Sequence, residues 1–302
     1  MFKHLLVPLD GSGMAEAALP AAGWLAERLG ARVTLIHVME KDPPERVHGQ
    51  GHLRTVEEAR SYLGRVQTTA FAPGTAVVCH VHTAAVGDVA ASLAAQALEL
   101  GPDLIVMVTH GRRGPKEWLF GSVAQQVIGQ GRTPVVIVPP APRFAGGGVF
   151  HLHKILAPLD AQEGHPAGRA VAVGLARAVG AALHLVTVVP TLGTLTWEWA
   201  AAGRLLRLAT ARLLEIGLAG ARDYLVGEQS RLAAEGLTVT SEIVRGDPAK
   251  TIAATAERCG AELIVLGTHG KAGLQAFWAG SVAARVSSRT GVPLLLAPAA
   301  ED

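Results

Sequence analysis

The sequence predicts an α/β protein of two tandem, doubly wound domains, each a five-stranded parallel sheet of order 3-2-1-4-5 with helices on both faces. Three observations predict it. Short apolar runs that suit buried strands alternate with longer helix-like segments, the pattern of a parallel sheet covered on both sides. The order then restarts: residues 154–160 (KILAPLD) repeat residues 4–10 (HLLVPLD) at an offset of 150 (160 minus 10). A strand, glycine loop and helix start also occur twice, as LIVMVTHGRRGPKEWLFGSV at 104–123 and LIVLGTHGKAGLQAFWAGSV at 263–282.

Taken in order, residues 4–10 form a buried strand that ends in a turn at Gly11-Ser12-Gly13. A helix over 14–29 is stopped by Gly30, and a second strand covers 32–38. Residues 40–52 are polar, with Pro43-Pro44 and two glycines, and read as a loop. A helix over 53–71, a strand over 75–82, a helix over 86–100 and a strand over 103–109 follow. The glycine loop leads into a helix over 122–130 and a fifth strand over 134–138. The Pro- and Gly-rich run at 139–149 marks a linker, which gives domains at 1–140 and 151–302 joined by residues 141–150.

In the second half, residues 182–188 match the second strand at the same offset of 150. Gly246-Asp247 matches Gly87-Asp88, and 292–298 matches 133–139, both at 159. The change predicts a nine-residue expansion (159 minus 150) between the second and third strands, within 191–225, which holds Trp197 and Trp199. One domain has been duplicated; this is not a short solenoid repeat.

Composition bounds the function. The chain has 302 residues, enough for two domains with a core each, and its 49% hydrophobic and 17% charged content is that of a globular protein. Aromatics are only 4%, so Ala, Val and Leu must fill the core, which suits helices lying close on a sheet. A net charge of +2 is too small to imply a nucleic-acid surface, although a pI near 8.7 does not exclude one. Cys79 and Cys259 sit in unrelated contexts, so no disulfide framework is expected and a reducing, cytoplasmic setting is the simplest reading. No run approaches the roughly 20 apolar residues of a membrane span, and the N-terminal apolar run is too short for a signal peptide.

In an open α/β sheet, ligands bind at strand carboxyl ends where the strand order reverses. Here that point lies between strands one and four. Their ends are Pro8-Leu9-Asp10 with Val108-Thr109, and Pro158-Leu159-Asp160 with Gly267-Thr268. The glycine loop leaves strand four, so a phosphate cradle coincides with the crevice. Glycines let backbone N–H groups approach an anion, and the helix dipole favours negative charge. Ser281 can cap the helix and donate a hydrogen bond.

At these residues the chain resembles the universal stress protein family in its tandem two-domain form. The resemblance covers nearly the whole chain apart from the linker and the Trp-rich expansion. ATP-binding members carry Gly-x2-Gly-x9-Gly-(Ser/Thr), which Gly267, Gly270, Gly280 and Ser281 match in full. The resemblance implies an ATP site in which Asp160 contacts the base, Val188 lines the adenine pocket and Gly267 lies by the ribose. Gly270, Gly280, Ser281 and Val282 would surround the phosphates, with Pro158 and Leu266 completing the site. The first-half counterparts are Pro8, Asp10, Val38, Val108, Gly111, Gly121, Ser122 and Val123. Val108 departs from the first glycine, and its side chain is expected to narrow the ribose position. Ala161-Gln162 depart from the Gly-Ser that follows the aspartate in the family pattern. The phosphate loop is the more demanding part, so the second half ranks first.

Other candidates carry blander readings. Asp10 and Asp160 read as structural or base-contacting rather than general bases. His110 and His269 brace the loops or touch phosphate; Arg112, Arg113, Lys116 and Lys271 offset phosphate charge or are merely solvated. His80 with His82, His151 with His153, and His48 with His52 are candidate metal-ligand pairs, but no third ligand is placed nearby by sequence. Cys79 packs in the sheet. Paired carboxylates, a Ser-His-Asp order, HExxH and GxxxxGK[ST] are all missing. The apolar fifth strands would be bare edges and invite pairing with each other, as in family dimers, and a further homodimer is compatible.

The expected function is binding of ATP or another adenine nucleotide as a stress-response regulator, with nucleotide-dependent loops presenting a surface to a protein partner the sequence does not identify. Slow ATP hydrolysis or autophosphorylation through Ser281 or Thr268 is the enzyme alternative, and a nucleotide-free dimeric scaffold the third. Whether Mg²⁺ bridges the phosphates stays open.

Overall fold

The computed structural model describes residues 1–108, 112–113, 117–118, 122–130, 133–140, 149–160, 166–194, 207–268 and 281–298. The first half supplies strands β1 (His4–Pro8), β2 (Arg32–Glu40), β3 (Val77–Val86), β4 (Leu104–Val108) and β5 (Val135–Val138). The second supplies β6 (Lys154–Pro158), β7 (Ala182–Val189), β8 (Val239–Arg245), β9 (Leu263–Thr268) and β10 (Leu294–Pro298). They form one sheet in the order β8-β7-β6-β9-β10-β5-β4-β1-β2-β3. Within each half the pairing is parallel and reads 3-2-1-4-5. The halves join where β10 runs antiparallel to β5, with Leu295 opposite Val136. Two apolar edges thereby cover each other.

Nine helices are described among these residues: α1 (Gly13–Glu16), α2 (Leu19–Leu29), α3 (Val56–Ala70), α4 (Val89–Leu100), α5 (Ser122–Gln130), α6 (Pro166–Val179), α7 (Arg207–Ala234), α8 (Pro248–Cys259) and α9 (Val282–Ser287). Side chains alternate across each strand, so the sheet has two cores. Leu5, Val7 and Leu185 pack with Leu25 of α2, Leu63 of α3, Leu175 of α6 and Leu225 of α7. On the other face Leu6, Ile36 and Val186 pack with Leu93 of α4, Ile252 of α8 and Val286 of α9.

Local chemistry sets the boundaries. The single helix expected over 14–29 is broken into α1 and α2. Ser12 caps α1 by accepting from the Ala15 amide, and Pro20 stands in the first turn of α2, the place a helix tolerates a residue without an N–H. Thr55 and Glu58 form a capping box on α3. Asp88 and Asp247 accept from Ala91 and Lys250 at the starts of α4 and α8, so the repeated Gly-Asp pair marks a helix cap. The expected loop over 40–52 is not wholly irregular: β2 runs to Glu40, and Arg46–Val47 pairs with Gln50–Gly51. A second two-residue hairpin, Arg112–Arg113 with Glu117–Trp118, lies within the first glycine loop.

The expansion is larger than the sequence offsets indicate. Gln67 donates to the Val77 carbonyl at 2.9 Å, and Gln229 donates to the Val239 carbonyl at 3.4 Å. These equivalent bonds set an offset of 162 (239 minus 77), so the insertion before the third strand is twelve residues (162 minus 150) rather than nine. The first half carries three extra residues at the end of β3, where the register shifts between Val38 and Glu40, and this returns the offset to 159 at the Gly-Asp caps. On this alignment the α3 cap, Thr55, corresponds to Gly217. Residues 207–217 of α7 are therefore about three additional helical turns.

Candidate functional site

The carboxyl ends of the central strands open into one crevice in each half. In the second half Pro158, Asp160, Val188, Leu266, Gly267 and Val282 line a single cavity of about 800 Å³. In the first half Pro8, Asp10, Val38, Val108 and Val123 line a cavity of only about 90 Å³. Drug-sized ligands occupy pockets of about 300–1,000 Å³, so the second-half cavity falls within that range and the first-half cavity below it. Ser281 caps α9, its hydroxyl oxygen accepting from the Ala284 amide at 3.2 Å. α5 begins at Ser122. Gly111, Gly121, Gly270 and Gly280 lie outside the described residues, as do His110, His269, Lys116, Lys271, Ala161, Gln162, Trp197 and Trp199.

The segment after the second strand differs between the halves. In the first half it folds back over the crevice. The Gln50 side-chain oxygen accepts from the Gly13 amide, and His52 Nε2 stands 3.3 Å from the Glu40 carboxylate. His48 Nε2 lies 3.9 Å from Asp10. Leu53 packs so closely on Gly11 that a Cβ there would meet Leu53 Cγ at 2.9 Å. Asp10 itself accepts from the Ser12 amide at 2.8 Å and the Ser12 hydroxyl at 2.6 Å, the structural role expected of it. In the second half the longer segment includes residues 207–217 of α7.

A model of the family described as "Universal stress protein family" matches residues 1–139 and again 151–298. The chain belongs to the universal stress protein family. Universal stress protein MJ0531 of Methanocaldococcus jannaschii is 30% identical over 144 residues, which span 46% of this chain and 82% of that protein. Among solved structures, the functionally unknown protein PA1789 of Pseudomonas aeruginosa PAO1 is 18% identical with a TM-score of 0.69, over 99% of this chain and 93% of that one. A universal stress protein of Archaeoglobus fulgidus is 17% identical with a TM-score of 0.66, over 99% and 97% of the two chains. At such identities the structural likeness concerns the fold alone.

Two positions of this universal stress protein also have a packing contact that the sequence does not show. Gly267 packs on Gly168 of α6: a Cβ on Gly168 would stand 2.5 Å from the Gly267 nitrogen. In the first half the corresponding residues are Ala18 and Val108, both buried. Val108 belongs to the core on the α2 side of the sheet, so its methyls are absorbed there by a helix that starts anew at Leu19. Val108 and, from the 46–53 segment, His52 both line the first cavity.

The electrostatics also differ between halves. His37 Nδ1 donates to the Leu9 carbonyl at 2.8 Å, which leaves Nε2 as the acceptor, and Nε2 meets no partner among the described residues. Burial, with His52 nearby, holds the His37 imidazole below its ordinary pKa against the opposing pull of Leu9 and Asp10. Thr187 occupies the same place on β7, and its hydroxyl likewise has no partner among the described residues. At the mouth of the second crevice, burial raises the Asp247 pKa, but the Lys250 amide and Arg285 outweigh it and hold the carboxyl below its usual range.

Several lining residues were not read from sequence: Pro248 and Ile252 of α8, Gly168 and Arg169 of α6, and Leu214, Gly217, Gly220, Ala221 and Tyr224 of α7. The glycines at 217 and 220, three apart inside a helix, were the available signal. The histidine pairs go elsewhere. His80 bonds Gln96 at 2.8 Å, and His153 pairs with Glu262 at 3.1 Å. Among the described residues no three of His, Cys, Asp and Glu are grouped to hold a metal. Cys79 donates to the Gln67 side chain at 3.5 Å and packs against the sheet core. Among the described residues no helix is long and apolar enough to cross a membrane.

Proposed function

We propose that the second half binds an adenine nucleotide, ATP foremost, and that the protein acts as a cytoplasmic stress-response regulator whose surface loops change with the bound nucleotide. The reading is supported by one observation above the rest: six residues assigned from the family motif, from Pro158 to Val282, line one cavity of about 800 Å³. Val188, Leu266 and Ile252 offer apolar faces for a flat base, and Asp160 offers a carboxylate to its amino group. Ser281 and the start of α9 lie where the phosphates would run, with Gly270 and Gly280 supplying backbone amides. The unit boundaries at 1–140 and 151–302 belong to the same proposal, as does a protein partner for the loops.

Hydrolysis and phosphoryl transfer find less support. Thr268 is buried and donates to the Ala297 carbonyl, and the Ser281 oxygen is engaged by its helix cap. Single-turnover assays are expected to return intact ATP. Isothermal titration of ATP against wild type, Gly270→Val and Gly280→Val tests the site itself; equal affinity in all three would remove the glycine loop from the account.

A further inference from the structure

The second-half cavity is lined by residues from both faces of the sheet, which divide its lining into two lobes. Along β7, Val186 and Val188 pack toward α8 and α9, while Leu183 and Leu185 pack toward α6 and α7. Alternation places Thr187 with the latter pair. The first lobe, with Val188, Leu266, Ile252 and Val282, is the one read above as the nucleotide pocket. The second is walled by Thr187, Gly168, Leu214, Gly217, Gly220 and Tyr224.

Two independent observations single out this second lobe. Thr187 is 4% exposed, yet its hydroxyl oxygen has no hydrogen-bond partner among the described residues. A buried hydroxyl left without a partner is costly and calls for one. Gly217 and Gly220, which line the same cavity and are exposed, have room: a Cβ on either would meet nothing within 4 Å. Glycine weakens a helix interior, so two of them on one face of α7 keep bare backbone toward open space where any larger residue would fit. The first half lacks this arrangement. There Leu53 belongs to the packing on the same face, Tyr62 is the counterpart of Tyr224 (62 plus 162), and His37 replaces the threonine.

We propose that this lobe is a second ligand subsite, for a flat, uncharged, mainly apolar molecule with one hydrogen-bonding group that meets the Thr187 hydroxyl. Flatness follows from a glycine face flanked by the Tyr224 ring and Leu214. Neutrality follows from the charges at hand. Arg169 is paired with Glu228 at 3.3 Å, and Glu228 also holds Arg231 at 2.7 Å. Asp160 at the mouth disfavours an anion. The subsite stands apart from the nucleotide reading, since its walls belong to the other face of the sheet.

The probe is 2-naphthol, a flat fluorescent molecule with one hydroxyl, titrated into the full chain beside a parallel ATP titration. Saturable binding at one per chain is expected. Thr187→Val keeps the shape and removes the hydroxyl, and should weaken naphthol about three- to tenfold, the range of a single hydrogen bond. Gly220→Leu should abolish naphthol binding and leave ATP affinity within about twofold; it places a strong helix former where there is room, so its melting temperature should not fall. Absence of saturable naphthol binding, or binding that persists unchanged in Gly220→Leu, overturns the subsite. Naphthol binding without ATP binding upholds the subsite and removes the nucleotide reading; the reverse removes the subsite alone.

Discussion

Gly168 and Gly267 meet backbone to backbone, so closely that a Cβ on Gly168 would stand 2.9 Å from the Gly267 Cα. The first glycine of the nucleotide motif therefore has a packing reason as well as a proposed binding one. The start of α6 rests on the end of β9, at the edge of the crevice. In the first half Ala18 and Val108 hold the same two places, and the helix above them is broken at Ala18.

Gly168→Ala should therefore destabilise the protein by about 1–3 kcal/mol, the ordinary cost of overpacking. Thermal melting should show a fall of several degrees. Ala18→Gly, its first-half counterpart, relieves no clash and should cost no more than about 1 kcal/mol. Equal effects of the two changes would contradict the close approach.

The closed state of the first crevice is testable through Gly11, whose φ of +87° favours glycine and whose Cβ would strike Leu53. Gly11→Ala should cost about 1–3 kcal/mol. Leu53→Ala removes the steric part, so the double variant should lose less than the sum of the two singles in chemical denaturation. Strict additivity would show that Leu53 does not press on this turn.

Much of this was legible beforehand, and the limits have physical causes. The duplication was visible because buried parallel strands tolerate few residue types, so HLLVPLD and KILAPLD stay recognisable. The Gly-Asp pairs were visible but their role as caps was not, because capping is a local bond that a repeat does not name. The size of the insertion was misjudged because an extra stretch at the end of β3 cancels part of it. Which crevice is open depends on whether residues 46–53 fold over β1 and β2 and whether α7 begins early. Those are tertiary questions, and a polar loop with two prolines does not answer them. The contact of Gly168 with Gly267 joins residues about 100 apart and leaves no mark in either segment.

Acid stability should depend on His37. Its folded pKa lies below the ordinary value of 6.5, so as pH falls the unfolded chain takes the proton first. Stability is complete above about pH 6.5 and declines as pH drops toward the folded value. His4, also lowered by burial and by Arg32, adds to the same slope. His37→Gln should flatten, without abolishing, the loss of stability between pH 7 and about pH 5. An unchanged slope would mean that His37 is free to protonate in the folded protein.

The two helix caps should differ in value. Asp88→Ala removes a cap and should cost about 1 kcal/mol. Asp247→Ala removes a cap and also the partner of Arg285, and should cost up to about 1 kcal/mol more. Because the Asp247 carboxyl is held low in the folded state, its contribution is present above its unfolded pKa and is lost as pH falls through the folded one. The excess cost should therefore shrink in urea denaturation as pH falls below the ordinary aspartate value of 3.8.

The central claim is that one crevice of the two accepts a nucleotide. Equilibrium dialysis of labelled ATP against the full chain measures it directly. The account predicts one ATP per chain, reduced to none by Gly280→Val and left at one by Gly121→Val. Two per chain, none, or loss through Gly121→Val in place of Gly280→Val would contradict it.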